Sequence, residues 1–291
     1  MNAQEWFNKG KYYTVFKHQV FVIDSCQGEQ NNKPVLCILH GFPTSSFDYW
    51  KVIDQLNQHY RVVIHDHVGF GFSDKPIEYS YSLIEQADIA LALWKQMGID
   101  EAYLLAHDYG TSVLTEVLVR DNQNCCSLKI RKVALCNGSM HIELAKLKPM
   151  QKLLRNQFLG PLVARLASKR TMERNLRDIF VDDTQLDEEE IDAIWHMMTF
   201  NQGKRVLAPI SRYTFERSKF WHRWIGALKE TLIRLEIIWP DSDPIAVAEM
   251  ANVILNETTN SELHWLKSVG HFPMLEAPDD WAEAVIKHLQ Q

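Results

Sequence analysis

Along this chain, near-continuous apolar runs alternate with segments whose apolar residues recur every three or four positions. Tyr12–Phe16 and Val20–Ile23 predict an opening hairpin. Pro34–Leu39, Arg61–Ile64, Ala102–Ala106, Val133–Cys136, Leu235–Trp239 and Leu263–Leu266 predict further strands. Runs without polar alternation suit strands buried on both faces, as in a parallel sheet. Between them, Leu83, Ala87, Ala90, Trp94 and Met97 form a helical stripe that ends at Gly98. A last helix follows Pro278, with Trp281, Val285 and Leu289 on one face. Alternating strands and helices predict an α/β fold, a mostly parallel central sheet flanked by helices.

The alternation breaks between Met140 and Trp224. That stretch is rich in Leu, Arg, Lys and Met and has little strand signal. Asp187–Phe200 predicts a helix, with acids in its first turn and Ile191, Ile194, Trp195 and Met198 as its stripe. The predicted organisation is a core of residues 1–139 and 225–291 and an inserted helical cap of residues 140–224.

Composition narrows the partners. The chain has 291 residues and a net charge of −6. That balance gives no reason to expect a nucleic acid or an anionic membrane as partner. A small apolar or amphipathic organic substrate is the expectation. The five cysteines form no CxxC pair, the first eleven residues lack an apolar signal core, and no apolar run reaches a membrane span. These features predict a reduced, cytoplasmic protein and leave its oligomeric state open.

Active sites of open α/β sheets form beyond the carboxyl ends of the strands. One strand ends in His40-Gly41-Phe42-Pro43, where a turn can aim a backbone amide inward. Another ends in His107-Asp108-Tyr109-Gly110, the spacing of a nucleophile elbow with an acid where serine is common. A later strand leads to Asp241-Ser242-Asp243-Pro244, and the last is followed by Gly270-His271. Singly, Asp108 reads as a helix cap, Asp243 as a turn residue and His271 as structural. Jointly they give nucleophile, acid and histidine in the chain order of α/β hydrolases.

The chain resembles the α/β-hydrolase superfamily, on the branch of epoxide hydrolases and haloalkane dehalogenases. The resemblance rests on His40–Pro43, Gly69–Pro76, His107–Gly110, Trp239–Pro244 and Gly270–Pro278. In Glu85-Gln86-Ala87, Leu104–Gly110 and Trp224–Leu228 it is similar to the mesoderm-specific-transcript group. It implies Asp108 as nucleophile, His271 as base and Asp243 as orienting acid, with Asp241 as the rival acid. The amides of Phe42 and Tyr109 would form the oxyanion hole.

An aspartate nucleophile changes the chemistry. Attack on an ester carbonyl would give an anhydride. Attack on a saturated carbon gives an ester that a histidine-activated water can hydrolyse. Epoxide hydrolysis is the first reading, haloalkane hydrolysis the second, and a slow or non-catalytic ligand-binding or sensor protein the third. Epoxide hydrolases generally use two cap tyrosines; this cap has only Tyr213, so the partner is missing or supplied by another residue such as Tyr109. Trp195, Trp221 and Trp224 are candidates to line the pocket or hold a halide, although helical spacing favours packing. His65-Asp66-His67 invites a metal reading and Gly69-Phe70-Gly71 half a dinucleotide fingerprint. Neither is complete, so no metal and no cofactor are expected.

Overall fold

The structure, a computed structural model, describes residues 1–26 and 32–290. Eight strands form one sheet in the order β1-β2-β4-β3-β5-β6-β7-β8. β1 (Gly10–Val15) and β2 (His18–Asp24) make the antiparallel edge, and β2 also runs antiparallel to β4 (Arg61–His65). From there β3 (Val35–Leu39), β5 (Glu101–His107), β6 (Lys129–Cys136), β7 (Leu235–Pro240) and β8 (Ser261–Leu266) are parallel. The apolar runs belong to strands covered on both sides. Leu36 and Ile38 face one core with Leu105 and Ile238; Cys37 and Leu39 face the other with Leu104 and Ile237.

Helices cover both faces. α1 (Ala3–Lys9), α2 (Ile53–Asn57), α13 (Pro273–Glu276) and α14 (Pro278–Gln290) lie over one, contributing Trp6, Leu56 and Trp281 to its core. α3 (Leu83–Gln96), α4 (Tyr109–Asn122), α11 (Trp221–Glu230) and α12 (Ala248–Glu257) lie over the other. Helix α1 has no periodicity to announce it. A capping box between Asn2 and Glu5 starts it, and buried Trp6 anchors it through an N–H donated to Ser46 Oγ at 3.1 Å.

Between β6 and α11 come six helices and no strand: α5 (Pro149–Leu154), α6 (Gly160–Leu166), α7 (Lys169–Arg177), α8 (Glu188–Thr199), α9 (Leu207–Ser211) and α10 (Tyr213–Lys219). Ala164 of α6, Leu176 of α7 and Ile194 of α8 join the core on the α1 side of the sheet, whereas Ile210 of α9 and Tyr213 of α10 join the other. Helix α11 runs across residue 224 and packs along α4. We therefore divide cap from core near Phe220.

Candidate active site

β5 delivers Asp108 to the rim, and α4 starts at the next residue. Asp108 has φ 42° and ψ −106°, a strained left-handed conformation. Three donors hold the bend by its carbonyl oxygen: Thr111 N at 3.2 Å, Thr111 Oγ1 at 2.6 Å and Arg217 Nη2 at 2.9 Å. The turn is tight enough that a Cβ on Gly110 would collide with the Leu39 carbonyl. Asp108 occupies the N-cap position of α4, yet its carboxylate makes no capping bond. Oδ2 instead accepts the Phe42 amide at 3.0 Å. The Tyr109 amide opens α4, where helix geometry gives it no acceptor within the helix.

His271 and Asp243 meet beyond the ends of β8 and β7. His271 Nδ1 lies 2.7 Å from Asp243 Oδ2, and both residues are buried. Asp243 Oδ1 accepts the amides of Ile245 and Ala246 at 2.7 and 3.1 Å. Asp243 is thus a turn residue and the partner of a histidine at once. Burial alone would raise its pKa, but the His271 charge and the donors around it bring it below the usual carboxylate value. Burial likewise pushes His271 down, and Asp243, Asp108 and Asp48 outweigh it, so its pKa is raised. The rival, Asp241, accepts from Ser242 Oγ and Ser268 N at 2.8 Å each and does not touch His271.

Sequence reasoning passed over three neighbours. Asn137, just beyond β6, donates to Asp243 Oδ2 at 2.7 Å and to the His271 carbonyl at 2.8 Å. It sits at a strand end, and that position was the available signal. Asp48 is buried with Thr44 Oγ1 donating to it at 2.6 Å, while its Oδ1 has no partner among the described residues. Burial first, then Asp66 and Asp108, push its pKa well up. The third is Arg217 on α10, buried to 2% exposure. It donates to Ser112 Oγ at 2.6 Å, brings Nη2 to 3.9 Å from Asp108 Oδ1, and leaves Nη1 without a partner among the described residues. An arginine in a run of charged cap residues gives no sign of this burial.

Arg217 also covers Tyr213, its guanidinium carbon 4.6 Å from the ring centroid. Burial and the Asp108 charge raise the Tyr213 pKa, and Arg217 opposes them. Tyr109 stacks edge-on against Tyr213 with centroids 5.1 Å apart, buried among His67 and Phe70. The groups bearing on its hydroxyl are Glu216, Tyr213, Gln86 and Tyr79 rather than Asp108. It does not replace a second cap tyrosine at the carboxylate.

A cavity of about 560 Å³ opens between cap and core. Phe42, Pro43, Ile245 and His271 form its core side, and Leu154, Val163, Met172 and Met198 its cap side. Trp195 is not among its walls. It is half-buried against the core with Lys204 over its ring at 5.7 Å, a correction to its candidacy for the pocket. Trp224 donates its indole N–H to Glu116 at 2.9 Å, so that donor is occupied.

The remaining motifs have structural roles. Both oxygens of Asp66 accept backbone amides, from Ser46 at 2.8 Å and Phe72 at 2.7 Å, so Asp66 is not a free ligand beside His65 and His67. Gly71, at φ 47°, passes so close to Asp66 that a Cβ would strike its carboxylate, which accounts for the glycine without a dinucleotide. Burial lowers the pKa of His40 to about 4, of His65 to about 3 and of His107 to about 4. Across the molecule, ligand atoms of Glu236, His264 and His288 lie within 4.8 Å of one another, but Arg234 and Lys132 already pair with Glu236.

A sheet of this order, with an acid at the β5 elbow and a histidine after β8, defines an α/β hydrolase. The chain belongs to the α/β hydrolase fold family, whose sequence profile matches residues 34–278. It is 35% identical to the LipZ protein of Mycobacterium tuberculosis over 99% of this chain and 98% of that one. It is also 35% identical to the mesoderm-specific transcript homolog protein of Homo sapiens, over 94% of this chain and 83% of that one. Among solved structures it is similar to haloalkane dehalogenase DbeA from Bradyrhizobium elkani, with a TM-score of 0.80, 18% identity and 97% of each chain covered.

Proposed function

We propose that this α/β-fold hydrolase opens epoxides by attack of Asp108 on a ring carbon, and releases a diol. One observation carries the reading: the elbow carboxylate does not cap its own helix but accepts the Phe42 amide, with a guanidinium 3.9 Å from its other oxygen. In the first step an Asp108 oxygen bonds to carbon, and the C–O bond of the ring breaks towards the epoxide oxygen. That oxygen takes the phenol proton of Tyr213, and Arg217 stabilises the phenolate.

In the second step His271 takes a proton from water, whose oxygen attacks Cγ of Asp108. The amides of Phe42 and Tyr109 hold the oxyanion, and Asp243 supports the imidazolium. Collapse expels the alkoxide and restores the carboxyl group. The water supplies two protons, one to the second hydroxyl of the diol and one back to Tyr213.

The donors near Asp108 favour an oxygen leaving group over a halide. An alkoxide needs a proton, and the adjacent donors are a phenol and a guanidinium. The indole N–H groups of Trp6, Trp50, Trp224 and Trp239 are all bonded elsewhere. The test is intact-mass spectrometry of His271→Gln incubated with alkyl and aryl epoxides and with haloalkanes. The expected result is a mass gain equal to that of the epoxide. An alkyl adduct with halide release would replace this reading by the dehalogenase one. No adduct, with no turnover by the parent protein, would leave a ligand-binding protein.

A further inference from the structure

Away from the elbow, the outer surface of the cap combines two features that the hydrolase reading does not use. Eleven large apolar side chains are exposed among the described residues, and five of them fall between residues 153 and 166. They are Leu153, Phe158, Leu159, Leu162 and Leu166, on α5, on α6 and on the loop between them. Phe158 is 85% exposed and Leu166 71%. Leu162 and Leu166 stand four positions apart and share one face of α6.

The charge around this patch runs against the rest of the molecule. From residue 146 to residue 174 the chain carries eight lysines and arginines and a single acid, Glu173, in a protein of net charge −6. Lys146, Lys152, Arg165, Arg170 and Arg174 are exposed and form no ion pair among the described residues. An apolar face rimmed by uncompensated cations is the chemistry that seats a protein in the headgroup layer of an anionic bilayer. A second copy of this face would bring two such cationic rims together, which like-charge repulsion opposes.

We propose that the α5–α6 face of the cap docks on an anionic lipid bilayer. This proposal departs from the expectation, drawn from net charge, that no membrane is a partner, because the sign of the charge reverses locally. The cavity is continuous with the patch, because Leu153 and Leu166 belong to both and Lys148 and Arg174 line its wall. A docked molecule therefore opens its cavity towards the acyl layer. The route this gives to an apolar substrate rests on the hydrolase reading; the docking itself does not.

The experiment is flotation of the purified full chain with phosphatidylglycerol–phosphatidylcholine vesicles, without substrate. Binding is expected, and it should weaken about tenfold or more on pure phosphatidylcholine or in high salt. Arg165→Glu with Arg170→Glu should lower binding to the phosphatidylcholine level. The triple variant Phe158→Ser, Leu159→Ser, Leu162→Ser should lose binding while melting like the parent, since all three side chains are exposed. No binding to the anionic vesicles, undiminished binding by the triple variant, or a dimer in sedimentation that the triple variant dissociates would each overturn the proposal. Because no turnover is measured, failure of the epoxide reading leaves this result unaffected.

Discussion

The core rim and the cap face each other across one cavity but are built in opposite ways. At the core rim, backbone amides fix the carboxylates of Asp108 and Asp243. Strands end there, amides from the next turn meet carboxylates, and glycines allow contacts that a methyl group would block. The cap is made of short helices, several with no side-chain cap, and it leaves apolar side chains in solvent. Arg217 crosses the divide, a cap residue buried against the core. The lesson is that the sheet fixes the candidate catalytic groups by backbone, while the cap's surface is left free to vary in packing.

The largest expected effect comes from removing the group the sheet places. Asp108→Ala should lower turnover by about 10⁴-fold or more, read in steady-state assays with a responsive epoxide. Residual activity near that of the parent would break the claim that the elbow carries the reaction. Next comes the crossing residue. Arg217→Met should slow adduct formation by about 10²-fold, measured by rapid quench in a His271→Gln background. Arg217→Lys should restore part of that rate if charge matters, and none if only the forked geometry does. Equal loss of stability and rate in both variants would reduce Arg217 to a packing role.

A third test separates backbone from side chain. Gly110→Ala should destabilise the fold by about 1–3 kcal/mol, because the new methyl group meets the Leu39 carbonyl. A melting curve like that of the parent would show that the elbow is not tightly constrained.

The buried histidines set a pH dependence of their own. His40, His65 and His107 stay neutral in the fold, with pKa values near 4, 3 and 4, and take up protons near pH 6.5 once unfolded. Below pH 6.5 the unfolded chain then binds more protons. Stability falls as pH drops from 6.5 towards 4, by on the order of 3 kcal/mol for each group. His271 contributes with the opposite sign, since its folded pKa is raised: its share is present below 6.5 and lost as pH rises through the folded value. For the same reason the hydrolytic step should gain rate with pH to a point above 6.5. Denaturant titrations across pH and single-turnover adduct decay measure the two effects separately. The smallest effect should be Trp195→Phe, which should change kcat/KM by less than about twofold, because Trp195 lies outside the cavity. A larger change would show that the cap's packing reaches the reaction.

The same contrast decided what could be read from the residues. Asp108, Asp243 and His271 stand at strand ends in a fixed order, so their convergence was legible before any geometry. Asn137 stands at a strand end too, but an amide carries no acid–base chemistry to draw attention. Tyr213 was legible as a lone tyrosine. Arg217 was not, because its burial depends on how α10 meets Ser112 on α4, more than a hundred positions earlier. Helix α1 was missed for want of a second apolar turn, and the helical spacing of Trp195 favoured packing without saying which neighbour it faces.

Arg217 bears on how the two parts of this molecule can be exchanged. Caps on a common core invite grafting, with one specificity module replaced by another. Here a transplanted cap would arrive without the cation that ties Ser112 and the Asp108 carbonyl together, and the host would lose a strut of its own turn. A successful chimera must carry α10 along with the core, so the seam for shuffling lies before Tyr213 and not at the end of the insertion.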